Sequence, residues 1–340
     1  MTPAAYQPIP PYLPPLFNSL RQRQPAAARP RAIKSTLVWM DGQMIPFDQA
    51  NVHFLSPTLH YGASVFEGIR CYDTPRGPAV FRLREHMARF LQSSEALGMD
   101  DPRYTLEQLC QAVFWLIEGN GLSDCYVRPL LFFGGSMGLD LDDYEPVVSI
   151  AVWPWEPFLG QYALDHGVRV MVSSYTRMNN NAQLTKAKIG GQYVNSILAK
   201  TSAKRSGFDE AIMLDQDGFV AECTGENLFL VRDGVLYTPP RANVLEGITR
   251  DSVMTLARDA GYKVVETRIT RDELLTADEL FVCGTAAEVA GVCAVDGLSV
   301  GSGQVGPVTR QVQEMYFDTV RGRNRRSLQW LEYVTTHPII

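Results

Sequence analysis

The sequence predicts a mixed α/β fold, of the α+β kind, divided into two domains. Three observations carry this. Short strand patterns at 210–214, 219–222 and 227–231 follow one another closely between helical patterns, a density typical of sheets flanked by helices. Trp153-Pro154-Trp155-Glu156-Pro157 is a stiff, proline-bearing stretch of the kind that connects domains. A chain of 340 residues holds one large or two ordinary domains with ample core. There is no internal repeat and no G-x-G-x-x-G after a strand pattern, so no dinucleotide-binding domain is assigned. The expected boundaries are an extension over residues 1–34, a small domain over 35–153, a connection over 154–165 and a larger domain over 166–340.

Composition narrows the partners. A net charge of −6 argues against nucleic acid or an anionic membrane surface as the main partner, and no apolar run reaches membrane-spanning length. The six cysteines, at 71, 110, 125, 223, 283 and 293, lie mostly inside apolar patterns with no metal-type pairing. They read as buried reduced thiols of a cytoplasmic protein, and no metal site is expected. Residues 1–34 differ from the rest: six prolines stand between positions 3 and 15, arginines at 21, 23, 29 and 31, and no acid before Asp41. There is no secretory apolar region, and the prolines spoil the amphipathic helix of an organelle transit peptide. The stretch reads as a disordered extension.

Residues 34–40 form a β-rich run and Asp41-Gly42 a hairpin turn. Residues 59–72 carry His60-Tyr61-Gly62 and then Val65-Phe66-Glu67-Gly68-Ile69-Arg70-Cys71-Tyr72. A second hairpin turns at Thr74-Pro75-Arg76-Gly77 and returns through 79–82. The next helix has an apolar stripe of Leu83, Met87, Phe90, Leu91 and Leu97; Arg89 stands off it, where periodicity alone makes it a solvated arginine. Thr105-Leu106-Glu107-Gln108 is a capping box opening a helix with Leu109, Val113, Leu116 and Ile117 on one face. Residues 125–133 form a strand with Arg128 among apolar neighbours. An unpaired buried charge is costly, so Arg128 needs an anion, either an intramolecular carboxylate or a ligand. Residues 147–153 form another strand.

In the second half, a strand at 168–173 leads through Asn179-Asn180-Asn181 to Thr185-Lys186-Ala187-Lys188-Ile189-Gly190-Gly191-Gln192-Tyr193. Only six lysines occur in the chain, and two of them stand here, before a glycine pair. Lysine, unlike arginine, can lose its proton and attack a carbonyl, and a glycine pair lets the backbone approach a bound group closely. A surface turn with solvated lysines serves these residues equally well. The helix after Gly191 repeats apolar residues at Val194, Ile197, Leu198 and Thr201. Two glutamates, Glu222 and Glu226, mark a strand end, where plain solvation is the ordinary reading. Leu245-Glu246-Gly247-Ile248-Thr249-Arg250-Asp251 opens a helix whose free amides and dipole favour a phosphate; Thr249 as a plain N-cap is compatible with that. Phe281-Val282-Cys283-Gly284-Thr285-Ala286-Ala287 is a turn in which Gly284 permits close approach and Thr285 offers a hydroxyl. The last helix begins at Pro307, and Arg321, Arg323, Arg325 and Arg326 read as a solvated tail.

Lys188, Gly190, Gly191 and Tyr193, in the pattern Lys-x-Gly-Gly-x-Tyr, resemble the cofactor-lysine segment of the branched-chain amino-acid aminotransferases, class-IV transaminases that use pyridoxal 5'-phosphate (PLP). The resemblance runs from about Ser35 to Gly322 through several separate motifs. It implies the fold-type IV architecture, D-amino-acid-aminotransferase-like, with a small N-terminal and a larger C-terminal domain. It makes Lys188, not Lys186, the lysine that carries the cofactor. It sets Tyr193 at the ring hydroxyl, Arg89 at the phosphate, and Glu222, the first acid of Ala221-Glu222-Cys223-Thr224-Gly225-Glu226-Asn227, at the ring nitrogen. Gly247, Ile248 and Thr249 become the phosphate cup. Gly284 and Thr285 serve the phosphate, and Thr285 with Ala286 the substrate α-carboxylate. The implied substrate contacts are Phe66, Gly68, Tyr126, Arg128 and Trp155, with Tyr61 supplied to a neighbouring subunit. Three departures stand out. Phe158 replaces a frequent tyrosine, Gly291 replaces a usual proline and is expected only to loosen the following loop, and Ala287 and Ala290 occupy the positions of a redox Cys-x-x-Cys in some animal members.

The implied reaction moves the amino group of leucine, isoleucine or valine to 2-oxoglutarate, giving branched 2-oxo acids and glutamate, in a homodimer or higher homo-oligomer. Lys188 would remove and return the α-proton. One site must then accept an aliphatic side chain, against Phe66 and Trp155, and the glutamate carboxylate, at Tyr126 and Arg128. A D-amino-acid or amine transaminase, or aminodeoxychorismate lyase, shares the fold. Tyr126-x-Arg128-Pro129 and Gly284-Thr285-Ala286 favour the branched-chain group. A catalytically silent binding protein is the reading from another class, and the complete lysine, glutamate and phosphate-cup set argues against it.

Overall fold

A computed structural model describes residues 35–99, 101, 103–135, 137–140, 144–155 and 159–334. The expected extension over 1–34, and Phe158 with Glu156 and Pro157 of the expected connection, lie outside the described residues. From Ser35 onward the chain forms one compact unit built on two sheets.

The first sheet is antiparallel. Its order is Leu331–Tyr333, Gly77–Phe81, Ile69–Thr74, Cys125–Phe133, Pro146–Pro154, Leu37–Met40, Gln43–Pro46, with Ser64–Phe66 also paired to Cys125–Phe133. Its outer hairpin turns at Asp41 and Gly42, with φ of 44° and 85°, the two left-handed residues that a two-residue turn demands. Helices Leu83–Ala96 and Leu106–Gly119 pack on the sheet through Met87, Phe90, Leu109, Val113 and Leu116. The second helix opens with the expected box: Thr105 Oγ1 accepts from the Gln108 amide and Gln108 Oε1 from the Thr105 amide.

The second sheet is mixed, in the order Val220–Cys223, Glu210–Leu214, Val168–Val172, Glu288–Val295, Glu279–Gly284, Asn227–Arg232, Val235–Thr238, Val264–Glu266. Helices Ile248–Asp259 and Pro307–Val320 bury Val253, Leu256, Val312 and Tyr316 against Phe229 and Phe281. Tyr72 and Phe81 of the first sheet join that same cluster, and the chain's last strand, Leu331–Tyr333, pairs with Gly77–Phe81. The two sheets therefore share a core. Among the described residues no helix is long and apolar enough to cross a membrane.

Three local expectations are corrected. Gly291 does not precede a loop: it pairs with Phe281 inside Glu288–Val295, and a Cβ there would stand 2.8 Å from Val305 Cγ2, so a larger residue would need that side chain to move. Arg321 and Arg326 are not simply solvated, since they pair with Asp124 and Asp259 at 2.7 and 2.6 Å. In helix Tyr193–Arg205 the apolar stripe faces outward: Val194, Ile197 and Leu198 are 58, 60 and 45% exposed. Its packing side is made of small residues instead, Ala199 and Ala203 against Ala211 and Met213.

Candidate active site

The lysine segment is docked on the edge of the first sheet. The Phe66 amide donates to Lys188 O at 3.1 Å, the Gly191 amide to Gly62 O at 3.0 Å and the Lys188 amide to Ser93 Oγ at 3.1 Å. The glycine pair follows from this contact. A Cβ on Gly190 would lie 2.2 Å from Ser64 Oγ, and one on Gly62 would lie 2.7 Å from Gly191 Cα. The docking separates two lysines that local sequence leaves equivalent. Lys188 Nζ turns into a cavity and lies 2.8 Å from Tyr193 Oη. Lys186 Nζ points elsewhere, donating to the carbonyls of Arg241 and Val244 and lying 3.6 Å from Glu246.

Arg89 reaches the same cavity, and its helix position misleads. The side chain is only 13% exposed, because Nε and Nη2 donate to the two oxygens of Glu67 at 2.6 and 2.9 Å and Nη1 to Glu246 O at 2.7 Å. Glu67 is fully buried, and His86 Nδ1 stands 2.8 Å from Oε2. Burial alone would raise the Glu67 carboxyl; Arg89 and His86 outweigh it and hold it well below the usual carboxylate range. Burial in turn pulls the His86 imidazole below its ordinary value, against the attraction of Glu67. Glu67 is visible in the sequence as part of a motif, but nothing there assigns it a role.

The cavity's other wall comes from the second sheet. Helix Ile248–Asp259 has Gly247, not Thr249, as its N-cap, with no side chain capping it, so its first-turn amides are free of side-chain acceptors. A Cβ on Gly247 would lie 2.0 Å from Asn227 Oδ1, so a larger residue would displace the amide that Glu222 accepts from. Glu222, at the end of Val220–Cys223, is buried. Its Oε1 accepts from Arg177 Nη2 at 2.8 Å, and its Oε2 from Asn227 Nδ2 and the Leu245 amide, both at 3.2 Å. Burial pushes its carboxyl above the ordinary value, against the pull of Arg177 and the Leu245 amide. Sequence reasoning misses Arg177, since its partner lies on a distant strand and nothing local marks it. Arg89, Lys188, Tyr193, Glu222, Gly247, Ile248, Thr249, Gly284 and Thr285 all line this one cavity.

Beside it lies an aromatic patch on the first sheet. The Phe66 ring packs edge-on to Tyr193 with centroids 4.9 Å apart, and its centroid is 4.9 Å from Lys188 Nζ and 4.7 Å from the Arg128 guanidinium carbon. Tyr126 packs against Trp155 at 4.7 Å, and its hydroxyl fills the space over Gly68, where a Cβ would lie 1.9 Å away. Arg128 donates to Tyr126 Oη at 3.2 Å, and its Nε is buried with no hydrogen-bond partner among the described residues. Among the described residues it forms no ion pair, so the intramolecular carboxylate is not found there. Ala286 sits in the turn after Glu279–Gly284, next to Thr285. Tyr61, at the end of Pro57–Tyr61, is 49% exposed and does not line this chain's own cavity.

The amino-transferase class IV family matches residues 64–295, which include every lining residue of the cavity. The branched-chain-amino-acid aminotransferase of Pseudomonas aeruginosa is 44% identical over 300 residues, covering 88% of this chain and 97% of that protein. The crystal structure of the Escherichia coli branched-chain amino acid aminotransferase superposes with a TM-score of 0.85 at 43% identity, covering 88% of this chain and all of that one. The branched-chain aminotransferase from the archaeon Thermoproteus uzoniensis, solved with norvaline, is 42% identical with a TM-score of 0.84, covering 88% of this chain and all of that one. A further solved branched-chain amino acid aminotransferase, complexed with N-(5'-phosphopyridoxyl)-L-glutamate, is 46% identical with a TM-score of 0.84, covering 89% of this chain and all of that one.

Proposed function

The chain belongs to the amino-transferase class IV family, and from there we propose that it is a PLP-dependent aminotransferase moving the amino group of leucine, isoleucine or valine to 2-oxoglutarate. The observation that carries the reading is the cavity in which Lys188 Nζ lies 2.8 Å from Tyr193 Oη, with Arg89, Glu222 and the start of helix Ile248–Asp259 around it. This donor set fits PLP group by group. The Arg89 guanidinium and the uncapped helix start suit a phosphate. Glu222 suits a protonated ring nitrogen, Tyr193 a phenolic oxygen and Lys188 an aldehyde. Gly247 and Gly284 leave open the space that a Cβ would take beside Asn227 and Gly225.

PLP, when bound, supplies the electron sink that stabilises the carbanion left by α-proton removal. The chain's own part is proton transfer and positioning. Lys188 Nζ takes the α-proton and returns it, and the bond to Tyr193 Oη fixes where that amine stands. Thr285, Ala286 and Tyr126 receive the α-carboxylate. Phe66 and Trp155 receive an aliphatic side chain. Arg128, its Nε lacking a partner, receives the second carboxylate of glutamate or 2-oxoglutarate. The relative complexed with a phosphopyridoxyl-glutamate supports a site of this kind accepting glutamate. An amino-donor panel with 2-oxoglutarate tests the reading: leucine, isoleucine and valine should yield glutamate. Release of pyruvate without any amino acceptor would make the protein a lyase instead.

The same proposal takes the protein as at least a homodimer in the cytoplasm, with a two-domain division at 154–165. The outward Val194, Ile197 and Leu198 and the exposed Tyr61 support an interface, and the six free cysteines support a reducing compartment. A fully active monomer in light scattering would contradict the assembly.

A further inference from the structure

We propose that Glu226 is the uncharged member of a cluster of three buried glutamates, which leaves Glu222 as the one anion at its end of the cavity. The inference rests on the PLP reading for its functional half and on charge pairing for the rest. Glu210, Glu222 and Glu226 are 0, 6 and 4% exposed. Two cations serve the three. Arg177 holds Glu222 at 2.8 Å, and Lys200 Nζ pairs with Glu210, which also accepts from Thr224 Oγ1 and the Ala211 amide. Glu226 lines the cavity and accepts only the Gly225 amide, at 3.1 Å on Oε2; among the described residues it forms no ion pair.

The groups facing Glu226 come from every neighbouring element. They are Glu210 on Glu210–Leu214, Lys200 on Tyr193–Arg205, Glu222 and Cys223 on Val220–Cys223, and Cys283 on Glu279–Gly284. Burial first, and the charge of Glu210 second, raise its carboxyl to about 8 against the attraction of Lys200. A buried carboxylate without a cation is costly, so the side chain keeps its proton at neutral pH. Glu222 is then the single anion at that end of the cavity, and the ring nitrogen of the cofactor meets one negative charge rather than two.

The full chain carrying Glu226→Gln, a neutral isostere, decides this by two measurements. The first is folding stability against pH, by urea unfolding. The folded wild type retains a proton that the unfolded chain has released, so its stability falls as pH rises from about 4.5 to about 8, by up to about tenfold in the folding constant per pH unit. E226Q should lack that part of the slope. The second is the PLP dissociation constant from cofactor absorbance: in the wild type it should change as pH passes through about 8, where the Glu226 proton is lost, and E226Q should lose that change. Curves for E226Q parallel to the wild type, or a variant that does not fold, would overturn the proposal, because a neutral amide should replace a neutral acid. A wild type that takes up no PLP at any pH would instead sink the aminotransferase reading, and the stability comparison would still decide Glu226.

Discussion

At the cavity, Arg89 grips the fully buried Glu67 with two nitrogens and Arg177 holds Glu222, while Lys200 pairs with Glu210 outside the cavity lining. In the aromatic patch alongside, Arg128 meets a tyrosine hydroxyl and the face of Phe66, and no carboxylate among the described residues. Apart from Lys188, whose amine meets the Tyr193 hydroxyl, the cavity thus settles its charges within the protein, so those groups are oriented before a ligand arrives. The patch leaves one charge to be matched from outside. A permanent cofactor suits the first arrangement. Substrates that alternate between one carboxylate and two suit the second.

The largest effect should come from Lys188, the one group in the cavity placed for both carbonyl chemistry and proton transfer. Lys188→Ala should abolish steady turnover while Lys186→Ala, whose amine is tied to backbone carbonyls, leaves most of it. Steady-state assays with leucine and 2-oxoglutarate read this directly.

Arg89→Ala comes next and probes the paired region. It removes the proposed phosphate contact, worth about 1.5–3 kcal/mol, so PLP affinity should fall by about one or two decades. It also leaves Glu67 buried beside His86 without its main cation, and breaking such a pair costs about 3–5 kcal/mol. The variant should therefore melt at lower temperature as well. Unchanged PLP affinity would remove Arg89 from the phosphate site.

Arg128→Met probes the unpaired region and should behave differently. Stability should hold, because no protein carboxylate is abandoned. The half-reaction with glutamate should lose about one to two decades in kcat/KM, the value of about 1.5–3 kcal/mol for one charge-assisted bond, while the half-reaction with leucine suffers much less. Single-turnover measurements separate the halves. Equal losses in both would place Arg128 at the α-carboxylate or in the strand's own support.

Local signals make much of this legible in the chain. The Asp41-Gly42 turn, the Thr105–Gln108 box and strand Cys125–Phe133 depend on neighbours in sequence, and the structure has them where expected. The proposed cofactor residues come from motif resemblance, and one cavity gathers them. What stays hidden depends on partners from elsewhere. Arg89 looks solvated because the carboxylate that buries it stands on a different segment. Arg177 has no local mark at all. The helix Tyr193–Arg205 is readable as a helix, but its buried side is alanine, so periodicity picks out the face that points away from the core.

Every one of the expected effects on turnover depends on the proposed attachment of the cofactor at Lys188, in a cavity already furnished for it. Borohydride reduction of the PLP-loaded protein, followed by peptide mapping, tests this most directly. The pyridoxyl label should fall on Lys188, the lysine whose Nζ lies 2.8 Å from Tyr193 Oη. A label on Lys186, or on none of the chain's lysines, would contradict it.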